Sequence, residues 1–382
     1  MTDRSSRPAV CFVGTGPVVP KVLAAEAPDQ IGGAELQLKE IAFRLADRGW
    51  PISFVVGDYG QEATCLHPDI RIIKAHAPHD DKSGLQFLTR DLPRFWRALG
   101  AAEADIYFQY GVGGLTGPLA WFARRRRRRF VFWMASDSDP QCRVPGASRL
   151  PRSQRWLAYQ GMRQADVLLA QTTGQQALAQ QHLGRDSEIL PNIWPGPYEL
   201  SPPDRARESV LWVGSIRSVK RPLLLPEIAR ALPDIPFMMV GGKSRGDEAL
   251  YDQLVAAVAE TPNLDFRGFV PPNEVDRYYA KAALLVCTSA VEGFPNTFLH
   301  AWGRGRPVVT TYDPGKLVER ERLGQAAESL AEVTAAVRRL WRDPALCLDI
   351  GARAVQYVQT HHHPEIIISQ LETLFSRLST TS

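Results

Sequence analysis

The class of this sequence is narrowed first by what it has little of. No window approaches the roughly 20 consecutive apolar residues that a membrane-spanning helix needs. The opening MTDRSSRPAV carries charge but no apolar run of signal-peptide length, so a cytoplasmic protein is the expectation. Cysteine is sparse: Cys11, Cys65, Cys142, Cys287 and Cys347 are scattered over 382 residues with no C-x-x-C pair. That spacing argues against a zinc site or a disulfide scaffold and fits a reducing compartment. Excess charge of one sign is also lacking, since 45 basic residues stand against 41 acidic ones. Anionic partners are favoured only where cations concentrate, and they concentrate once, at Arg124–Arg129. What remains, 45% hydrophobic and 23% charged, is the composition of a globular protein.

The chain is too long for one ordinary core, and two domains are the natural reading. Short apolar runs recur, each followed by a helical pattern. AVCFVGTG precedes AELQLKEIAFRLADRGW, where Leu36, Ile41, Ala42 and Leu45 fall near a 3.6-residue period and Gly49 supplies the stop. PISFVVGD, DIYFQYG, FVFWMAS and ADVLLAQT continue one series; SVLWVGS, PFMMVGG, NLDFRGF, ALLVCTS and RPVVTT form a second. Such alternation predicts parallel sheet with helices on both faces, an α/β class. A single large barrel would also accommodate eight or more strands. Ile189–Ser209, rich in proline and polar residues, interrupts the alternation and separates two halves. The division expected is an N-terminal domain over 1–200, a second over 201–363, and a terminal amphipathic helix over 364–382. Ligands of such folds bind beyond the carboxyl ends of the strands.

Three segments carry candidate chemistry. In ALLVCTSAVEGFPNTFLHAWGRGRPVV, a buried strand runs into the loop EGFPN and then a short helix. Glu292 stands ahead of that helix, Pro295 suits its first turn, and Gly293 and the free amides of the helix start can approach an anionic or hydroxyl-bearing ligand. His300 lies deeper along the helix, so the two polar groups suit an elongated ligand; a surface glutamate and a packed histidine are the plain alternative. In LWVGSIRSVKRP, Gly214 ends a strand, and Arg217, Lys220 and Arg221 follow. Cations there could neutralise a diphosphate, or simply solvate a loop. In QIGGAELQLKEIA, Gly32 and Gly33 precede a helix and allow close backbone approach. Full G-x-G-x-x-G spacing is missing.

Together and in this order the three segments resemble the retaining glycosyltransferases of family 4 (glycosyltransferase group 1). The resemblance implies the GT-B fold: two Rossmann-like doubly wound domains facing across a cleft. The C-terminal one would hold a nucleotide-sugar donor, UDP- or GDP-linked; the N-terminal one would meet a glycan or lipid-linked acceptor, and the last helix would return to it. No metal or other cofactor is implied. By the same resemblance Glu292 matches the glutamate that contacts the donor sugar. Gly293, Phe294, Pro295 and Asn296 match the loop whose amides approach its hydroxyls. Lys220 matches the lysine of the diphosphate, and Gly33 the glycine loop near the phosphates. Two positions depart from the pattern. Ser215 stands where arginine is frequent, so Arg217 is the candidate to replace it. His300 stands where a second glutamate grips the ribose, and a neutral imidazole offers one donor and one acceptor instead. A binding or scaffold protein with weakened donor binding is therefore the competing reading, and an epimerase or phosphorylase of similar fold is a third.

Other motifs are secondary. D-S-D within WMASDSDP looks like a metal-binding D-x-D, but Asp137 and Asp139 read better as acceptor contacts or a helix cap. By the same resemblance Asn192 in LPNIWP matches an asparagine that closes the N-terminal domain, and a structural role is expected of it. The arginine run could attract anionic lipid head groups or be a solvated helix end. Nucleic acid is not implied, since no aromatic platform is interleaved with the run. His361–His363 is expected to be a loop before the last helix and not a metal site.

Overall fold

The computed structural model describes residues 7–24, 33–76, 86–148, 150–200, 208–244 and 246–380. The chain divides into two compact units: Met1–Ile193 with Glu365–Ser382, and Trp194–Pro364. Each is a parallel sheet clothed by helices.

The first unit holds β1 (Val10–Gly14), β2 (Ile52–Val56), β3 (Ile70–Lys74), β4 (Ile106–Tyr110), β5 (Arg129–Trp133), β6 (Val167–Ala170) and β7 (Glu188–Ile189). All pair in parallel in the order β3-β2-β1-β4-β5-β6-β7. Runs such as VCFVG and ISFVV are β-branched and aromatic, and they are buried on both faces, as central parallel strands must be. The helices are α1 (Val18–Leu23), α2 (Gly33–Asp47), α3 (Leu92–Ala102), α4 (Thr116–Arg125), α5 (Arg152–Gln164) and α6 (Thr173–Leu183). In α2 the buried stripe is Leu38, Ile41, Ala42 and Leu45; Leu36 is only half-buried. α6 opens on Thr172, whose hydroxyl accepts from the Gln175 amide, and stops at Gly184 in the left-handed conformation.

The second unit holds β8 (Ser209–Val213), β9 (Phe237–Val240), β10 (Leu264–Phe266), β11 (Ala282–Cys287), β12 (Val308–Thr310) and β13 (Gly324–Ala326), in the order β10-β9-β8-β11-β12-β13 and again parallel. α7 (Leu224–Arg230), α8 (Glu248–Ala259), α9 (Pro272–Lys281), α10 (Asn296–Gly303), α11 (Leu317–Arg320), α12 (Leu330–Arg342) and α13 (Pro344–His361) surround it. Both sheets are doubly wound and have open edges, which rules out the single barrel that the strand count allowed.

The final helix, α14 (Pro364–Thr380), completes the first unit. Ile367, Ile368, Leu371, Leu374 and Phe375 are buried in that unit's core, with the Phe375 ring edge-on to Trp50 at 5.6 Å. Arg48 reaches Glu365 and Glu372 at 2.6 Å each. Of the histidine cluster, His362 and His363 form the short loop expected before the last helix, and His361 does not. His361 closes α13, and His362 caps it with its ring buried 5.0 Å from that of Phe294. Burial of Val355 and Val358 holds the helix together to that point.

Candidate functional site

In the second unit the strand order reverses between β8 and β11, the adjacent pair at the centre of the sheet. Loops leaving the carboxyl ends of two such strands diverge, and the crevice between them is where doubly wound folds bind ligands. The basic segment follows β8 and the EGFPN segment follows β11, so the topology alone brings these two candidates together.

After β8 the chain runs through Gly214, whose amide donates to the Val240 carbonyl at 3.0 Å. Gly241 of the neighbouring loop is packed so tightly that a Cβ there would lie 2.1 Å from the Gly214 carbonyl oxygen. Ile216 is fully buried and bridges to Lys243, which pins the loop; Ser215 is half-buried and Arg217 is exposed. A single 3-10 turn, Ser218–Lys220, then delivers Lys220. Arg221 ends the turn at φ 46°, and its guanidinium donates to the carbonyls of Thr288 (2.7 Å) and Ser289 (3.1 Å) and to the Thr311 hydroxyl (2.6 Å). Thr288 returns a bond to the Lys220 carbonyl at 2.6 Å and accepts one from the Trp212 indole at 2.9 Å. Of the three neighbouring cations, Arg221 therefore fastens the loop, and Lys220 is free to face the crevice.

Glu292 meets Lys220 in an ion pair, and the Ser289 hydroxyl donates to the same carboxylate oxygen at 2.6 Å. Both partners keep a minority of their side-chain surface exposed, 21% for Lys220 and 15% for Glu292, so they sit at the mouth of the crevice rather than in the core. The Tyr312 hydroxyl donates to the carbonyls of Glu292 (3.1 Å) and Gly293 (3.0 Å), which fixes the turn from behind. Gly293, Phe294 and Pro295 are buried. The Phe294 ring packs on Phe298 and Trp302, so only its backbone is available to a ligand. α10 begins at half-buried Asn296, with Pro295 in the cap position and its backbone extended.

His300 lies on α10 between two rings, stacked on Tyr279 at 5.0 Å and edge-on to Trp194 at 4.4 Å. Burial pushes its imidazole down to about 4; Asp276 opposes that shift and Arg304 adds to it. Its Nδ1 is buried without a hydrogen-bond partner among the described residues. At neutral pH the ring is uncharged.

The remaining candidates belong to the first unit. Gly33 is the first residue of α2, and Gly32 lies outside the described residues. Asp139, in the turn after β5, is 4% exposed and accepts from the amides of Ala135 (2.7 Å) and Ser136 (3.3 Å). Burial raises its carboxyl to about 7 against those amides, with Asp137 adding to the rise. It ties its own turn, as a capping carboxylate does. Asn192 is buried, 3.5 Å from the Tyr110 hydroxyl that donates to it. No group of three or more metal-ligating side chains occurs among the described residues.

Sequence reasoning missed Ser289, Tyr312 and the fastening role of Arg221. Ser289 was findable, standing three residues before Glu292 in the same loop; nothing in the sequence points to Tyr312.

Comparison with known proteins gives two family models. "Glycosyl transferases group 1" matches residues 207–343, and "Glycosyl transferase 4-like domain" matches residues 32–192. A D-inositol 3-phosphate glycosyltransferase of Mycobacterium sp. (strain KMS) is 35% identical over 107 residues, which are 27% of this chain and 24% of that protein. The chain thus spans about a quarter of that curated relative, and at most about half of the others it matches. Among solved structures, sucrose-phosphate synthase from Thermosynechococcus elongatus superposes with a TM-score of 0.82 at 18% identity, covering 98% of this chain and 100% of that one. Anabaena Alr3699/HepE in complex with UDP and glucose gives 0.73 at 16% identity, covering 97% and 100%. At such identities the structures speak for the fold.

Proposed function

We infer the activity from one premise, that this chain belongs to the group 1 glycosyltransferases, with a glycosyltransferase 4-like first domain. We propose that it moves a sugar from a nucleotide-sugar, UDP- or GDP-linked, to a hydroxyl of a glycan or lipid-linked acceptor, with retained anomeric configuration. Such a step builds polysaccharide or lipid-linked glycan. The observation that carries the reading is the meeting of Lys220 and Glu292 at the strand-order reversal, ahead of the amides that open α10. The UDP and glucose of the Anabaena structure support a nucleotide-sugar as donor.

In this reading the Lys220–Glu292 ion pair opens when donor enters. The ammonium turns to the diphosphate, and Glu292, still held by Ser289, accepts hydrogen bonds from the sugar hydroxyls. Exposed Arg217 reaches the same diphosphate in place of the arginine missing at Ser215. Gly214 leaves room for close backbone approach, and His300 is the ribose contact through Nε2, its Nδ1 being buried. As the bond from the anomeric carbon to the phosphate oxygen breaks, negative charge grows on that oxygen. Fixed cations then stabilise the transition state more than the ground state. The acceptor oxygen bonds the same carbon from the same face, and its proton passes to the departing phosphate.

Transfer of radiolabelled sugar from a panel of UDP- and GDP-sugars tests the proposal. Glu292→Ala and Lys220→Ala proteins that melt like the parent should each lose on the order of 10²-fold or more in turnover. Unchanged turnover in both would overturn the assignment and favour the scaffold reading.

A further inference from the structure

The arginine run does not act as one unit. Arg128 pairs with Asp105, and Arg129 pairs with Asp166 at 3.1 Å, so these two are committed to the edge of the sheet. Arg124, Arg125, Arg126 and Arg127 are exposed and form no ion pair among the described residues; only Arg126 has a ring contact, 5.9 Å above Phe122. They end α4 in a tight turn in which Arg127 takes φ 53°, a conformation that glycine would adopt without strain. Local structure alone thus favours glycine at this position. One or two basic residues would satisfy the helix's carbonyl end; four exceed that need.

Aromatic surface lies on the same face. Trp121 stands one helical turn before Arg124 and Arg125 and is 51% exposed. Its ring rests on Trp96 of α3 at 4.3 Å, and the Trp96 indole is tied to the Pro118 carbonyl at 3.3 Å. α3 adds exposed Arg97. A groove of about 580 Å³ opens between the two helices, lined by Trp96, Arg97, Phe122, Arg126 and Arg128, with Glu103 its one carboxylate.

We propose that this face of α3 and α4 docks the protein on an anionic lipid surface, with Arg124–Arg127 and Arg97 over the head groups and Trp121 at the interface. The charge is complementary to acidic lipid, and a half-exposed tryptophan beside cations is the arrangement that settles at a water–lipid boundary. Single-stranded nucleic acid fits less well, because the two tryptophans cover each other rather than presenting a platform for bases. Docking is peripheral, since no helix among the described residues is long and apolar enough to cross a membrane. The proposal rests on the first unit alone and stands whatever the transferase reaction proves to be.

Co-sedimentation of the full chain with vesicles of phosphatidylcholine mixed with phosphatidylglycerol, against phosphatidylcholine alone, is the test. Binding should require the anionic lipid, weaken as salt rises, and bring a blue shift of tryptophan emission. Replacing Arg124, Arg125, Arg126 and Arg127 by serine should lower partitioning on the order of 10³-fold. Trp121→Ala should abolish most of the blue shift while circular dichroism and melting stay those of the parent. The milder pair Arg124→Ser and Arg125→Ser, which leaves the Arg127 turn intact, should show a smaller loss of the same sign. Equal binding to neutral vesicles, unchanged binding in the quadruple variant, or binding to single-stranded RNA with none to vesicles would each overturn the proposal.

Discussion

His300 makes folding stability depend on pH in a way that can be worked from its surroundings. The ring is buried between Tyr279 and Trp194, and its pKa falls from 6.5 to about 4, first through burial. The unfolded chain therefore takes up a proton before the folded one does. Well above pH 6.5 both states are neutral there and the group contributes its full stability; as pH falls through 6.5 toward 4 the unfolded state is favoured progressively. Linkage puts the loss at about 2 kcal/mol near pH 5 and on the order of 3 kcal/mol once pH reaches 4. His300→Phe removes the titration while keeping a flat ring between Tyr279 and Trp194. Urea melts of both proteins at a series of pH values isolate the effect, because every other titrating group is common to them. The parent should lose stability relative to the variant as pH drops from 7 to 5. Parallel curves for the two proteins would refute the reasoning, since they would mean the imidazole is protonated as readily folded as unfolded.

Asp139 should act with the opposite sign. Its carboxyl is raised from 3.8 to about 7, so its contribution is complete below about pH 4 and is lost as pH rises through 7; the melting temperature of Asp139→Asn relative to the parent should climb between pH 5 and 8. Tyr312→Phe removes the donor to the Glu292 and Gly293 carbonyls and should cost about 1 kcal/mol in urea melts, with no change in the m-value. Gly241→Ala drives a methyl group into the Gly214 carbonyl and should destabilise by about 2 kcal/mol or more; a melting point like the parent's would show that the two loops can part.

The sheet architecture was legible because its central strands are short, wholly apolar runs that cannot be surface. β3 was not, since Arg71 and Lys74 break the run and only Ile70 is buried. β7 and β13 escaped as well, being two and three residues long with no apolar signature. At the site, sequence brought Lys220 and Glu292 to attention but could not rank three cations within five residues. The left-handed backbone of Arg221 and its grip on Thr288, Ser289 and Thr311 set it apart, and both depend on contacts distant in sequence. The burial of His300 and Asp139 was equally out of reach, because their neighbours Tyr279, Trp194 and Tyr110 come from other elements. The arginine run read as one block; the structure splits it, since Asp105 and Asp166 lie at strand starts that only the sheet aligns with Arg128 and Arg129.

The place of α14 has a consequence for biosynthesis. Ile367, Ile368, Leu371, Leu374 and Phe375 complete a core begun by residues near the amino terminus, such as Phe12 and Trp50. On the ribosome those early strands emerge first, yet their last helix follows only after the whole of Trp194–Pro364 has been made. At ordinary elongation rates that interval is on the order of ten seconds or more. The second unit can close while the first still waits with an open apolar groove, so the nascent chain is exposed to chaperone capture or misassociation until its final turns of helix arrive.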